Sequence, residues 1–338
     1  MIEINKDAPE IRVLVDKYLR HLNSNFGIKP ANANPLKQKD KSKFQKRTEA
    51  FPGTLYARMF QYLQDHFKEI IIAEPSKLQS KQEELLIHIS YDENDPVHQG
   101  EMVKFKKTMT NYYDKFFQKE FEESGEKISI GRWLTRLLSL SVCPYCNHNY
   151  TLTINDRKNK IVVKPDFDHF YSKSKYPLLA ISFFNLVPIC TTCNKLKGED
   201  EVFQNPYEPE HPRPKFRLYG KEKGGKLVLF GLGDALDEVE VFPEAPYSKD
   251  NAETCNIKRL GLKQIYDQHI DHVNVLIEQA QQYNIGTYSA MIESFQGLGK
   301  TEAEIDRIIW GRYKDHPQKI PLSKLTSDIL EQIGLKEY

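Results

Sequence analysis

Two cysteine pairs, Cys143-Pro-Tyr-Cys146 and Cys190-Thr-Thr-Cys193, are separated by 43 residues. Each Cys-x-x-Cys spacing lets two thiolates turn toward one ion, and four thiolates close a tetrahedral structural Zn²⁺ site. Zinc suits a short ββα segment that buries too little apolar surface to hold itself. The competing reading is two unrelated redox or incidental pairs; a thioredoxin-like pair sits in a βαβ context, and neither of these does. The fifth cysteine, Cys255, reads as an ordinary buried thiol near a helix start.

A polar stretch lies inside this cysteine frame: Asp166-Phe-Asp168-His169-Phe-Tyr-Ser-Lys-Ser174, followed by Asn185 and, after the last cysteine, by Asn194-Lys195-Leu-Lys197. Such residues suit phosphodiester hydrolysis, which needs an activated water and a Lewis acid on the phosphate oxygens. His169 is the natural general base near neutral pH. Asp168 offers a hard oxygen to Mg²⁺ or Mn²⁺, and Asn194 offers an amide oxygen. Asn194 directly follows a zinc ligand, so a structural metal would hold a catalytic one in register. Asp166 reads as a solvated carboxylate at a strand end rather than a second ligand. Lys173, Lys175, Lys195 and Lys197 are candidates for phosphate contacts, the alternative being a merely solvated surface.

The frame, the order of the polar residues and their spacing resemble the HNH endonucleases of the ββα-metal fold, in the subtype whose Cys-x-x-Cys knuckles bracket the core. The resemblance covers residues 143–198. It implies that His169 is the catalytic base, that Asn185 braces the loop carrying it, and that Asn194 stands where the last His of HNH usually sits. It also implies Asp168 and Asn194 as the Mg²⁺ ligands, DNA as substrate, and 5′-phosphate and 3′-hydroxyl products. The flanks, the opening Met-Ile-Glu-Ile-Asn-Lys and the stretch DFDHFYSKSKYPLLA are similar to HNH components of bacterial anti-phage systems of the Septu and retron-associated type. That similarity implies an ABC-like ATPase partner. A stand-alone restriction-type nuclease and a non-catalytic zinc-held adaptor are the alternatives.

Positioning such a site takes a scaffold, and the apolar periodicity predicts one rich in helix. Ile11, Leu14, Val15, Tyr18, Leu19 and Leu22 share a helical face within 9–22, and further helices are expected over 54–69 and 99–120. Ser129 reads as the cap of another helix, with Ile130, Trp133, Leu134, Leu137 and Leu138 on one face. Residues 26–50 hold seven Lys/Arg among Pro, Asn and Ser and read as a basic loop. Short β-like runs follow at 150–154 and 161–163, then at 216–219, 227–230 and 239–242, the last three read as a small meander. From 251 the pattern is helical again. The expected fold class is α+β: a helical region over 1–140, a zinc-bound HNH core over 141–200, a β-rich acidic connector over 201–250, and a helical region over 251–338.

Two other signals carry less. Gly299-Lys300-Thr301 lacks the earlier glycine and the strand of a phosphate loop, and Thr301-x-x-Glu304 reads as a capping box. His269 and His272 read as ordinary helix histidines without a third ligand.

The 338 residues carry 48 Lys+Arg against 47 Asp+Glu, which excludes a uniformly basic coat protein but not a local basic groove. The charge is sorted: residues 143–198 sum to a formal +5 and residues 199–254 to −6. The core segment is therefore basic enough to meet a phosphate backbone. Five cysteines are too few for a secreted disulfide scaffold, and no apolar run is long enough to span a membrane. Charged residues interrupt the N-terminus, so no signal peptide is expected and the cytoplasm is the expected compartment.

Overall fold

A computed structural model describes residues 2–29, 41–155, 161–202, 204–208, 214–221, 227–231, 239–244, 256–283, 285–312 and 316–334. The architecture is mixed α+β, dominated by helices with small sheets. The chain divides into two units: one of Asn5–Ser139 with Phe167–Val187, here the helical unit, and one of Met1–Ile4, Leu140–Asp166 and Pro188–Tyr338, here the cysteine unit. Leu140 begins the cysteine unit, and residues 167–187 belong with the N-terminal helices.

The helical unit begins with α1 (Pro9–Phe26), which buries the Ile11, Leu14, Val15, Tyr18, Leu19 and Leu22 stripe. Proline opens the helix where its missing N–H costs nothing, and Gly27 closes it at φ 70°, a left-handed position that glycine takes without a Cβ penalty. Next comes α2 (Lys43–Ala50), where a loop is expected from the sequence. Two residues explain the difference: Ser42 and Gln45 form a reciprocal capping box, and Phe44 is fully buried against Phe26 and Phe60. Residues 30–40 of that basic segment lie outside the described residues.

Then follow α3 (Leu55–Asp65), α4 (Phe67–Ile71), α5 (Leu78–His88) and the long α6 (Pro96–Gln118), whose N-cap Asp95 accepts from the Val97 and His98 amides. A hairpin of β1 (Glu120–Glu123) and β2 (Glu126–Ser129) turns at Ser124 and Gly125, both at positive φ. It leads into α7 (Ile130–Leu138), which Ser129 caps by accepting from the Arg132 amide. The core is aromatic: Tyr18, Phe26, Phe44, Phe60, Phe105, Phe116 and Trp133 are all buried.

Residues 167–187 lie in this unit as a buried strap with two 3₁₀ turns, Pro177–Ile181 and Phe183–Asn185. Backbone groups that such turns leave unpaired find partners on the helices. The Tyr18 hydroxyl donates to the Ile181 carbonyl at 3.0 Å, Ser182 Oγ donates to the Ile70 carbonyl at 2.8 Å, and the Leu178 amide donates to Gln82 Oε1 at 3.2 Å.

In the cysteine unit, β3 (Ile154–Asn155) pairs antiparallel with β4 (Ile161–Val163). A second pair, β5 (Asp166–His169) and β6 (Leu186–Ile189), carries the chain from one unit to the other within both strands. The short α8 (Thr191–Lys197) follows β6. Then β7 (Lys215–Lys221), β8 (Leu227–Leu229) and β9 (Val239–Glu244) form a sheet ordered β8-β7-β9. This is not the expected meander, because β7 is central and β9 pairs with β7 rather than β8.

The C-terminal helices are α9 (Asn256–Arg259), α10 (Leu262–Asp267), α11 (Ile270–Gln282), α12 (Ile285–Gly297), α13 (Glu302–Trp310) and α14 (Ser323–Gln332). Their apolar faces and the β7-β9 face share one core containing Phe216, Leu218, Val241, Tyr266, Leu276, Leu325 and Ile329. Where β7 outruns β8, α14 satisfies its amides: Asp328 accepts from the Phe216 N–H and Gln332 from the Leu218 N–H, each at 2.9 Å. Among the described residues no helix is long and apolar enough to cross a membrane.

Candidate metal centre and catalytic loop

The sulfurs of Cys143, Cys146, Cys190 and Cys193 all lie within 4.8 Å of one another, and all four residues are buried and free of disulfides. Cys146 and Cys190 Sγ are 3.9 Å apart. Four sulfurs at a Zn–S distance of about 2.3 Å in a tetrahedron would be separated by about 3.8 Å, so the spacing fits zinc. The two pairs thus meet as the Cys₄ reading requires, and a redox reading of separate pairs does not fit. Local backbone builds the cradle. The Asn147 amide donates to the Cys143 carbonyl, and the Cys143 amide donates to the Asn149 carbonyl, which folds the first knuckle. Asn147 itself takes φ 52°, which asparagine tolerates. In the second knuckle Cys190 is the N-cap of α8, its sulfur accepting from the Cys193 amide at 3.4 Å.

Further N–H donors reach the sulfurs: the His148 amide to Cys146 at 3.4 Å and Asn149 Nδ2 to Cys190 at 3.5 Å. Such donors stabilise thiolate and are the outer contacts expected around a metal. Burial pushes the Cys143 thiol well up, whereas hydrogen bonds from the other three thiols hold Cys190 low. Four thiolates packed in a buried space repel one another, and a divalent cation removes that repulsion while releasing the protons.

The rest of the cysteine unit clamps the first knuckle. Asn147, fully buried, donates from Nδ2 to the Pro317 carbonyl at 3.0 Å and accepts the Lys324 amide on Oδ1 at 2.8 Å. Its carbonyl accepts the Leu322 amide at 2.7 Å. The Tyr266 hydroxyl donates to the Cys146 carbonyl. The C-terminal region therefore holds the knuckle through backbone groups and the Tyr266 hydroxyl, a role that residue type alone did not reveal.

The candidate base belongs to the helical unit. His169 ends β5, is 8% exposed, and its Nε2 is 3.0 Å from the Ala180 carbonyl. A carbonyl only accepts, so Nε2 carries the proton and the lone pair of the neutral ring is assigned to Nδ1. Tyr113 of α6 meets the imidazole edge to face, with centroids 4.5 Å apart. Asp168 beside it is buried at 4% exposure.

Asn185, with no exposed surface, staples the two ends of the strap. Its Oδ1 accepts the Tyr171 amide at 2.8 Å, and its Nδ2 donates to the Tyr171 and Leu179 carbonyls, each at 3.0 Å. Its own carbonyl accepts the Phe170 amide at 2.9 Å. The residue one step after the base is thus fixed to Asn185 by backbone, and the next by side chain.

In the cysteine unit, Asn194 Nδ2 donates to Asp166 Oδ2 at 3.2 Å. Asp166, half-buried at the start of β5, is the residue that orients this amide. With Nδ2 committed to a carboxylate, Oδ1 is left facing the other way as an acceptor.

The lysines divide. Lys175 and Lys195 are exposed, and Lys173 leans over the Tyr113 ring at 4.8 Å with Asp114 at 3.7 Å. Lys197 is 1% exposed, so the expected phosphate contact there does not hold: the side chain is inside the fold, where a charge is kept only by partners of its own.

Cys255 lies outside the described residues. His272 Nε2 pairs with Thr326 Oγ1 at 3.0 Å, and Thr301 with Glu304 forms a capping box that starts α13. Tyr113 and Asp166 were not singled out from the sequence as site residues. For Asp166 the available signal was its place two residues before Asp168; for Tyr113, on a distant helix, there was none. No protein-family model, curated protein or solved structure matches the chain.

Proposed function

We propose that the protein is a metal-dependent endonuclease of HNH type that hydrolyses phosphodiester bonds in DNA. The observation that carries this reading is His169 held by its Nε2 on the Ala180 carbonyl, in a strap that Asn185 staples on both sides. A histidine whose Nε2 proton is held by a carbonyl has its Nδ1 lone pair fixed in direction, which is the form a general base takes. In this reading His169 Nδ1 takes the proton of the attacking water, Asn185 positions His169 through the backbone, and the Cys₄ zinc centre supports Asn194.

The resemblance assigns the catalytic ion to the Asp168 carboxylate and the Asn194 amide oxygen, hard donors of the kind Mg²⁺ or Mn²⁺ takes. When bound, that ion supplies charge stabilisation at the phosphate and the leaving oxygen. Tyr113 is a positioning residue that keeps the imidazole plane in place. The wider role we propose is an effector of bacterial anti-phage defence working with an ABC-like ATPase, on the strength of the resemblance of the flanks.

Purified protein incubated with plasmid DNA and Mg²⁺ or Mn²⁺, alone and with the product of a neighbouring ATPase gene, tests the reading. His169→Ala abolishes cutting while zinc content stays as it was and the variant still melts cooperatively, at a somewhat lower temperature because the side chain is buried. Cleavage that survives this substitution, or no cleavage under either condition, overturns it.

A further inference from the structure

We infer that the helical unit carries a phosphate-binding patch, formed by Lys43, Lys115 and Lys119 around Asn25 with Lys17 and Arg20 beside it, that holds the backbone of duplex nucleic acid. This deepens the nuclease reading and rests on it for the substrate class, but not for the patch itself.

Three separate helices bring these cations together: α1 supplies Lys17, Arg20 and Asn25, α2 supplies Lys43, and α6 supplies Lys115 with Lys119 just past its end. Lys43 Nζ and Lys119 Nζ both point at Asn25 Oδ1, at 3.5 and 3.3 Å. Both contacts are longer than a good N–H···O bond. One neutral amide oxygen between two ammonium groups stands where an anionic oxygen would bind more strongly. None of the five cations forms an ion pair among the described residues, although the unit contains many such pairs elsewhere, for example Lys41–Glu49 and Lys81–Glu84.

Folding gives little reason for this arrangement. Lys115 and Lys119 are four residues apart, a like-charge spacing that destabilises a helix. The helix C-terminus can favour them, but Lys43 sits in the first turn of α2, where the dipole disfavours a cation. Its contact with the Phe26 ring at 5.2 Å offsets only part of that. Burial first, then Lys119 and Lys115, push the Lys43 ammonium below its ordinary pKa. His21 likewise titrates low, from burial foremost, with Lys119, Arg20 and Lys17 acting in the same sense and Glu123 against it. A strained, uncompensated group of cations is the mark of a surface built for an anionic partner.

The charge gives the partner. At about 100° per residue Lys115 leaves α6 nearly opposite Tyr113, so the cations form a face of their own, apart from the Tyr113–His169 contact. A cluster of five cations suits the regular row of phosphates that duplex nucleic acid presents.

The test reads binding apart from cleavage. Full-length protein carrying His169→Ala is titrated into a short fluorescein-labelled DNA duplex, and anisotropy is followed between about 50 and 200 mM salt. Lys43→Gln/Lys115→Gln/Lys119→Gln weakens binding about tenfold or more and lowers the slope of log K against log salt by about 3. A charge-matched control, Lys68→Gln/Lys77→Gln/Lys127→Gln on exposed positions of the same unit, shifts binding by less than about twofold. The Lys→Arg triple at 43, 115 and 119 retains parental affinity, which shows that charge and not shape is read.

Equal weakening by both Gln triples, or a parent that binds no duplex, overturns the proposal. So does a patch-dependent affinity for phosphatidylserine vesicles that exceeds that for DNA. If the Gln triple fails to melt cooperatively, Lys119→Gln alone is read, with a slope change of about 1 expected. A failed nuclease reading shows instead as intact binding by the His169-bearing protein without strand scission.

Discussion

Asn185 and Tyr171 are bonded in both directions: the Tyr171 amide donates to Asn185 Oδ1 at 2.8 Å and Asn185 Nδ2 donates to the Tyr171 carbonyl at 3.0 Å. The same Nδ2 reaches the Leu179 carbonyl, so one amide closes the strap that carries His169. Asn185→Ala leaves one donor and two acceptors without this partner in a buried setting. At about 1–3 kcal/mol for an unsatisfied buried group, partly relieved by relaxation, we expect a loss of about 2–4 kcal/mol. Thermal or urea unfolding of the variant measures it. Asn185→Asp, isosteric but with an oxygen set against two carbonyl oxygens in a fully buried site, should cost at least as much as Ala at neutral pH. A variant as stable as wild type would remove the brace.

The Cys₄ centre predicts one zinc per chain by elemental analysis. Apparent zinc energies of about 10–16 kcal/mol in small modules rival the whole stability of an ordinary domain. Cys146→Ser or chelation should therefore release zinc and melt the cysteine unit well below the wild-type temperature. Hydrogen exchange would show the first losses around Tyr266 and Leu322, whose hydroxyl and amide donate to the first knuckle. Retention of zinc by Cys146→Ser would exclude that sulfur as a ligand.

Arg312 and Asp306 form a buried bidentate pair at 2.8 and 2.9 Å. Breaking one side strands the other charge, so Asp306→Ala should cost about 3–5 kcal/mol. The paired change Asp306→Leu/Arg312→Met should cost far less than the single, because it removes the desolvation penalty along with the attraction. A double-mutant cycle on melting curves decides this. Additive single and double effects would mean that the two side chains do not act as a pair.

Glu74 ties the start of α1 to the α4–α5 connection by accepting from Lys6 Nζ at 2.9 Å and Arg12 Nη1 at 2.7 Å. Burial pushes its carboxyl up, but the bonds from Arg12 and Lys6 outweigh this and the net pKa lies below the ordinary glutamate value of 4.5. A carboxyl depressed in the folded state contributes stability above the unfolded pKa and loses it as pH falls through the folded pKa. The window is therefore below 4.5. Glu74→Gln should cost at most about 1 kcal/mol at neutral pH, given the partial exposure of the group. The difference from wild type should shrink as pH drops through that window. A gap that stays constant down to pH values below the window would sink the assignment.

Much of the scaffold could be read from periodicity because burial enforces it: the α1 stripe is buried, and Ser129 and Thr301 cap the helices expected of them. The cysteine frame was legible for a stronger reason, since few residue types make a tetrahedral sulfur site. The hairpin at 120–129 was not, because Glu120, Glu122 and Glu123 lack a strand's apolar alternation and the signal is confined to Ser124-Gly125. Helix α2 was masked by its charge: six of the seven residues from Lys41 to Arg47 are polar or basic, and Phe44, the one buried apolar residue of the helix, anchors the turn. Lys197 and Asp166 show the limit within the site. Lysine and aspartate default to solvent, and only tertiary structure shows one enclosed and the other turned toward Asn194.

The strap has a consequence for how this gene can be cut. Residues 167–187 leave the cysteine unit through β5 and return through β6, so the helical unit is discontinuous in sequence. A fragment ending at residue 139 would lack Leu178, Leu179, Ile181, Phe183 and Phe184, whose burial completes its interior. The complementary fragment would carry that apolar stretch with no helices to receive it. No single break therefore yields two self-sufficient pieces, and the candidate base travels through recombination only with the whole of the N-terminal helical array.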